Sequence, residues 1–219
     1  MSDSGATRPS TGRAVDRLIN FSDAVVAVAI TLMALPLVDI GGPAAGQTVL
    51  AVWGEHWPQL VTFLFTFFVV AIMWSAHNRI LNGIRAYDPP IFWINTSWLA
   101  GIVLLPWFTA VRDSNDASAS GAACAYWMLL AIVSALGSLM GWHIRRHPDL
   151  LDPGEPVPDG TSRGRLRGIA FTSLFVLIAV VSLWSADLAS WLPLAIIPLS
   201  IWLRPAREDA RTASDEEES

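Results

Sequence analysis

An all-α membrane protein with six transmembrane helices per subunit is predicted by three observations on this 219-residue chain. Hydrophobic residues make up 53% and charged residues only 15%, and the mean hydropathy is +0.46, a balance typical of membrane proteins rather than soluble domains. Uncharged stretches recur at 24–38, 57–76, 89–111, 117–142, 168–186 and 188–203, close to the ~20 residues that cross ~30 Å of hydrocarbon. All 14 basic residues are arginines, and six crossings put every one except Arg112 on the same side. The positive-inside rule makes that side, with both termini, cytoplasmic.

The elements follow in order. Residues 1–13, rich in Ser, Thr, Gly and Arg, read as a flexible cytoplasmic lead-in; 14–204 form the six-helix domain; 205–219 carry a run of acids with almost no apolar residue and read as a disordered acidic cytoplasmic tail. The first apolar run follows Asp23 directly, which argues for a span rather than a cleaved signal. The outer connection 39–56 contains Gly41, Gly42 and Pro43. Pro58 suits the first turn of the second helix, where its missing donor costs nothing. Pro36, Pro106, Pro193 and Pro198 fall within spans and read as kinks. The long polar connection 144–166 holds Pro148, Pro153, Pro156 and Pro158, which disfavour regular structure there. Trp53, Trp57, Trp107, Trp184 and Trp191 near outer ends, with Trp93, Trp142 and Trp202 near inner ends, match interfacial belts. The single Cys124 excludes an intrachain disulfide and a cysteine metal site.

Two patterns carry functional information. At 100° per residue, Ala24, Val28, Thr31 and Leu35 align as one stripe on the first helix. Such a stripe is either a helix-packing seam or, repeated around an axis, the wall of a narrow apolar tube with one hydroxyl ring. Asp23 points away from it, toward a neighbouring helix. An acid near mid-membrane costs roughly 2.5–3.5 kcal/mol on insertion scales, so it needs a protein or water partner. Trp74, His77 and Asn78, at i, i+3 and i+4, share a face at the inner end of the second span. A knot of Ser22, Asp23, His77 and Asn78 is therefore expected, either as a structural lock on helix register or as a proton-sensitive latch.

The run RLINFSDAVVAVAITLMALPL, residues 17–37, resembles the first-helix signature R-x-x-x-F-S-D of the transmembrane protein 175 family, the lysosomal and bacterial potassium channels. Here that signature is Arg17, Phe21, Ser22 and Asp23. The likeness extends to Trp74-x-x-His77-Asn78 and, more loosely, to Leu105-Pro106-Trp107-Phe108-Thr109. It implies a homotetramer in the bacterial plasma membrane, with first helices lining a central pore and no re-entrant selectivity loop. The implied function is passive cation conduction, modestly selective for potassium over sodium.

The resemblance places the constriction layers at Val28, Thr31 and Leu35, with permeating potassium passing them transiently and no resident cofactor. Val28 stands where Ile or Leu is common in relatives, which implies a wider ring. A tetramer also makes Asp39 either a ring of negative charge at the outer mouth or a solvated loop acid. The alternative function is a proton-coupled transporter or proton path through Asp23 and His77. The spans hold no nucleophile with its base and no metal-ligand cluster, so an enzyme is not expected, and membrane lipids are the remaining partner.

Overall fold

The computed structural model describes residues 10–113, 119–152 and 162–184. Its helices are α1 (Arg13–Leu32), α2 (Leu35–Val38), α3 (Val49–Glu55), α4 (Trp57–Leu81), α5 (Pro89–Asp113), α6 (Ala119–Arg146) and α7 (Ser162–Ser182). A 3₁₀ turn at Pro148–Leu150 follows α6, and strands β1 (Ser10–Thr11) and β2 (Ala86–Tyr87) pair antiparallel. Among the described residues, four segments are long and apolar enough to cross a membrane: Arg13–Val38, Trp57–Leu81, Pro89–Arg112 and Gly121–Arg146. The apolar part of α7, Leu166–Ser182, is shorter. The expected sixth span at 188–203 and the tail at 205–219 lie outside the described residues.

The first span is not one continuous helix. Pro36 lacks the amide hydrogen needed to bond Leu32, and its ring crowds the preceding turn. The ladder accordingly tightens at its end: Met33 N–H still reaches Ala29 O at 3.2 Å, but Ala34 N–H turns to Thr31 O at 3.1 Å. Leu35 then starts α2, with Pro36 in its first turn. Pro106 is accommodated inside α5.

Two connections are more ordered than their composition suggests. Within 39–56, Thr48 Oγ1 accepts from Ala51 N–H at 3.2 Å and caps α3, an extra short helix in the expected loop. Gly41 and Gly46 turn the chain before it with φ of 72° and 84°, values that favour glycine. At the other end of the bundle, α6 runs to Arg146 and Leu151 bridges to Ile84. Arg85 N–H reaches Leu150 O at 2.9 Å, and its guanidinium donates to Asp149 O at 3.1 and 3.2 Å. The end of the lead-in joins the same junction, since Ser10 pairs with Tyr87 and Gly12 N–H bonds Arg85 O at 3.2 Å.

The core forms where α5, α6 and α7 meet, around Trp98, Ile102, Tyr126, Leu130, Phe175 and Ile178. In a bilayer, burial from water does not drive this association; close van der Waals packing and interhelical hydrogen bonds do. Gly101 is the clearest instance of the first: a Cβ there would sit 2.5 Å from Val133 Cγ2, so α5 and α6 approach this closely only because the side chain is missing. Thr66 and Tyr126 illustrate the second, their hydroxyls 2.9 Å apart between α4 and α6.

Candidate functional site

Helix α1 has two faces. Val15, Leu18, Ser22, Val26 and Ala29 are buried, a 3-4-4-3 spacing that keeps one stripe against α4 and α5. The opposite stripe is apolar yet uncovered within the subunit: Val28 is 57% and Leu35 53% exposed, with Ala24 and Thr31 also exposed. Thr31 Oγ1 donates to Val28 O at 2.7 Å. That bond uses the hydroxyl's only proton and leaves oxygen lone pairs to face outward. Asp39 is exposed just after α2.

The buried stripe is held by two separate polar groups, where the sequence suggested one knot. In the first, Asp23 Oδ1 accepts from Trp74 Nε1–H at 2.8 Å and from Asn78 Nδ2 at 3.2 Å, while Asn82 Nδ2 in turn donates to Asn78 Oδ1. In the second, Ser22 Oγ donates to Leu18 O at 2.8 Å and accepts from Asn95 Nδ2 at 3.0 Å. Asn95 Oδ1 faces His77 Nε2 at 2.6 Å. Because the amide nitrogen already serves Ser22, the amide oxygen must be the acceptor, which assigns the imidazole proton to Nε2.

The two groups differ in environment. Ser22, His77, Asn95 and Trp98 are 0–2% exposed, and the His77 ring stacks on Trp98 at 3.9 Å with planes 14° apart. Asp23 is only partly buried and Trp74 is 37% exposed. The expected contact of His77 with Asp23 and Ser22 is therefore replaced by one with Asn95, and His77 reaches Ser22 only through it. Arg17 and Phe21 are exposed and stand outside both groups, Phe21 at 61%.

Asn95 and Trp98 were not singled out by the sequence reading. A signal was present: Asn95 interrupts the apolar stretch that opens α5, and an amide at that depth needs a partner. Among the described residues no three His, Cys, Asp or Glu side chains come together as a metal site.

A family model described as "Endosomal/lysosomal potassium channel TMEM175" matches residues 17–106, the stretch from the first-helix motif into α5. A potassium channel of Streptomyces collinus is 31% identical over 148 residues, covering 65% of this chain and 70% of that protein. The endosomal/lysosomal proton channel TMEM175 of Danio rerio is 25% identical over 145 residues, and the chain spans only 27% of its length. The crystal structure of a lysosomal potassium-selective channel TMEM175 homologue from Chamaesiphon minutus matches the fold with a TM-score of 0.69 at 21% identity, over 89% of this chain and 100% of that one. By its first-helix motif, its match to the family model and its likeness to the Streptomyces protein, the chain is a membrane protein of the TMEM175 family.

Proposed function

We propose that four copies of this chain form a passive, modestly potassium-selective pore lined by the exposed stripe of α1 and α2. The observation that carries this reading is the uncovered apolar face holding Val28, Thr31 and Leu35, opposite a face anchored by Asp23 and Ser22. An uncovered apolar face suits lipid tails as well as a partner subunit; the family match across α1 favours a shared axis. Four such faces around an axis give two apolar rings and a hydroxyl ring whose oxygens can replace part of an ion's hydration shell. Asp39 then rings the outer mouth. The family's established members are ion channels rather than enzymes, which favours conduction over catalysis.

In this arrangement the chain crosses a bacterial membrane six times, with 188–203 as the last span and both termini in the cytoplasm. Purified chain in liposomes should pass potassium down its gradient without an energy source; absence of flux under any potassium gradient refutes the reading. Val28→Asn or Leu35→Asn should wet a ring and shift the reversal potential in mixed potassium and sodium toward sodium permeability, by roughly tenfold if the apolar barrier drops by about 1.4 kcal/mol. An unchanged reversal potential would move the constriction to other residues. Because vertebrate relatives are named proton channels, the same liposomes with a pH dye test the second reading, a proton path past Asp23 and His77.

A further inference from the structure

The stripe that carries Val28, Thr31 and Leu35 does not stop at Ala24. Helix α1 runs unbroken from Arg13 to Leu32, and at 100° per residue the line continues toward its start through Asn20, Arg17 and Arg13. Arg13 lies about five turns below Thr31 on the same line, and Arg17 lies within about 20° of Val28. All three side chains are exposed. None of them has a hydrogen bond or an ion pair among the described residues.

Their direction is fixed by what holds the other side of the same turns. Val15, Leu18 and Ser22 are buried there, Gly12 N–H bonds Arg85 O at 3.2 Å, and Ser10 and Thr11 pair with Tyr87 and Ala86, so α1 cannot roll to carry the arginines elsewhere. Two like charges one turn apart on one face repel. Asp16, the acid of the same turn, is next to Arg17 in the chain and therefore sits about 100° round the helix from it. The charge on this face is thus uncompensated within the subunit. The rise from Arg17 to Val28 is about 17 Å at 1.5 Å per residue, which puts the guanidinium groups below the apolar layers rather than among them.

We infer that Arg17 and Arg13 form a positively charged inner mouth of the pore and make its potassium current rectify, inward current exceeding outward. The inference rests on the proposed fourfold arrangement: on an unbroken helix, the face turned to the axis at Val28 is also turned to it at Arg17. Four charges about 10 Å from an axis, screened over a Debye length of about 10 Å in 0.1 M salt, thin the local cation concentration roughly threefold; in 1 M salt, where that length is about 3 Å, the thinning nearly vanishes. At a mouth, unlike at a constriction, such a ring reduces the supply of cations without barring them. Only outward-moving ions are drawn from this depleted pool, since the opposite mouth carries Asp39.

The test is potassium current through inside-out patches from cells expressing the full chain, with the bath on the cytoplasmic face. In symmetric potassium chloride at about 0.1 M the parent should pass roughly threefold less outward than inward current at equal and opposite voltages, and the ratio should approach one at about 1 M. Equal currents at the lower salt, or a ratio that salt does not move, overturn the inference and leave the pore reading intact. Absence of any potassium current refutes the pore reading, and the inference with it. Arg13→Gln with Arg17→Gln should abolish the asymmetry, whereas Arg13→Lys with Arg17→Lys should keep it, because the effect needs charge and not a guanidinium's shape. An asymmetry that survives the Gln pair means that the arginines face lipid phosphates rather than the ion path, and overturns the inference, as does its loss in the Lys pair. Should the Gln pair give no channel, the salt series on the parent still decides.

Discussion

Asn95→Ala tests the buried connection between α1, α5 and α4 most directly. The amide is 0% exposed and serves two partners, Ser22 at 3.0 Å and His77 at 2.6 Å. Its loss is unequal for them. Ser22 keeps its bond to Leu18 O, so it forfeits one interaction, about 0.6 kcal/mol by the average for interhelical bonds in membranes. His77 Nε2–H, 2% exposed at the residue level, is left without a partner, which costs roughly 1–3 kcal/mol. The sum is about 2.6 kcal/mol at the middle of that range, a fall of roughly 5–10 °C in melting temperature for a chain of this size.

His77→Phe in the Asn95→Ala background removes the orphaned donor, keeps a ring to stack on Trp98, and extends it toward the vacated space. Replacing both members of a buried polar pair is often nearly neutral. The double variant should therefore recover at least half of the loss, whereas His77→Phe alone orphans Asn95 Oδ1 and should itself be destabilising. Thermal unfolding of the four proteins in one detergent completes the cycle. If the double variant costs the sum of the two singles, His77 and Asn95 do not interact and the assigned tautomer is wrong.

Gly101→Ala places a Cβ 2.5 Å from Val133 Cγ2 and should destabilise by about 1–3 kcal/mol; adding Val133→Ala should relieve most of this in the same melting assay. Asp23→Ala orphans the Trp74 and Asn78 donors and should lower the tetramer fraction on size exclusion, while Thr31→Ala should leave assembly intact and alter only the potassium to sodium ratio. Asp88→Ala removes the carboxylate that caps α5 at Ile91 N–H (3.0 Å) and pairs with His143 (2.7 Å). The lost cap alone predicts about 0.5–2 kcal/mol of destabilisation, detectable as faster proteolysis at the α4–α5 turn.

The two faces of α1 were legible because helical geometry is local. The spacing of Val28, Thr31 and Leu35 assigns them to one side whatever the neighbours do, and Asp23 must look elsewhere. Trp74 and Asn78 were found for the same reason, being one turn apart on a helix. Asn95 was missed because its role depends on which helix lies opposite His77, and one sequence carries no record of that pairing. Pro36 reads from the sequence as a kink; the tightened turn at Met33 and Ala34, both still right-handed helical, follows from how the last turn of α1 closes. Short α3 was hidden among turn residues, since a seven-residue helix of about two turns leaves little periodic signal.

The two-residue ladder at Ser10 and Thr11 has a mechanical meaning. Together with Gly12 it fixes the foot of α1 to Arg85, and Arg85 is fastened to Leu150 by the backbone and to Asp149 by its side chain. Farther up, side chains at Ser22 and Asp23 brace the same rod. Above them polar bracing ends, apolar packing continues to Met33, and the ladder tightens before Leu35. A beam clamped at its base and jointed near its tip bends at the joint. Bending of the first span is thus expected at Ala34 and Leu35, beyond the buried stretch that runs from Val15 to Met33.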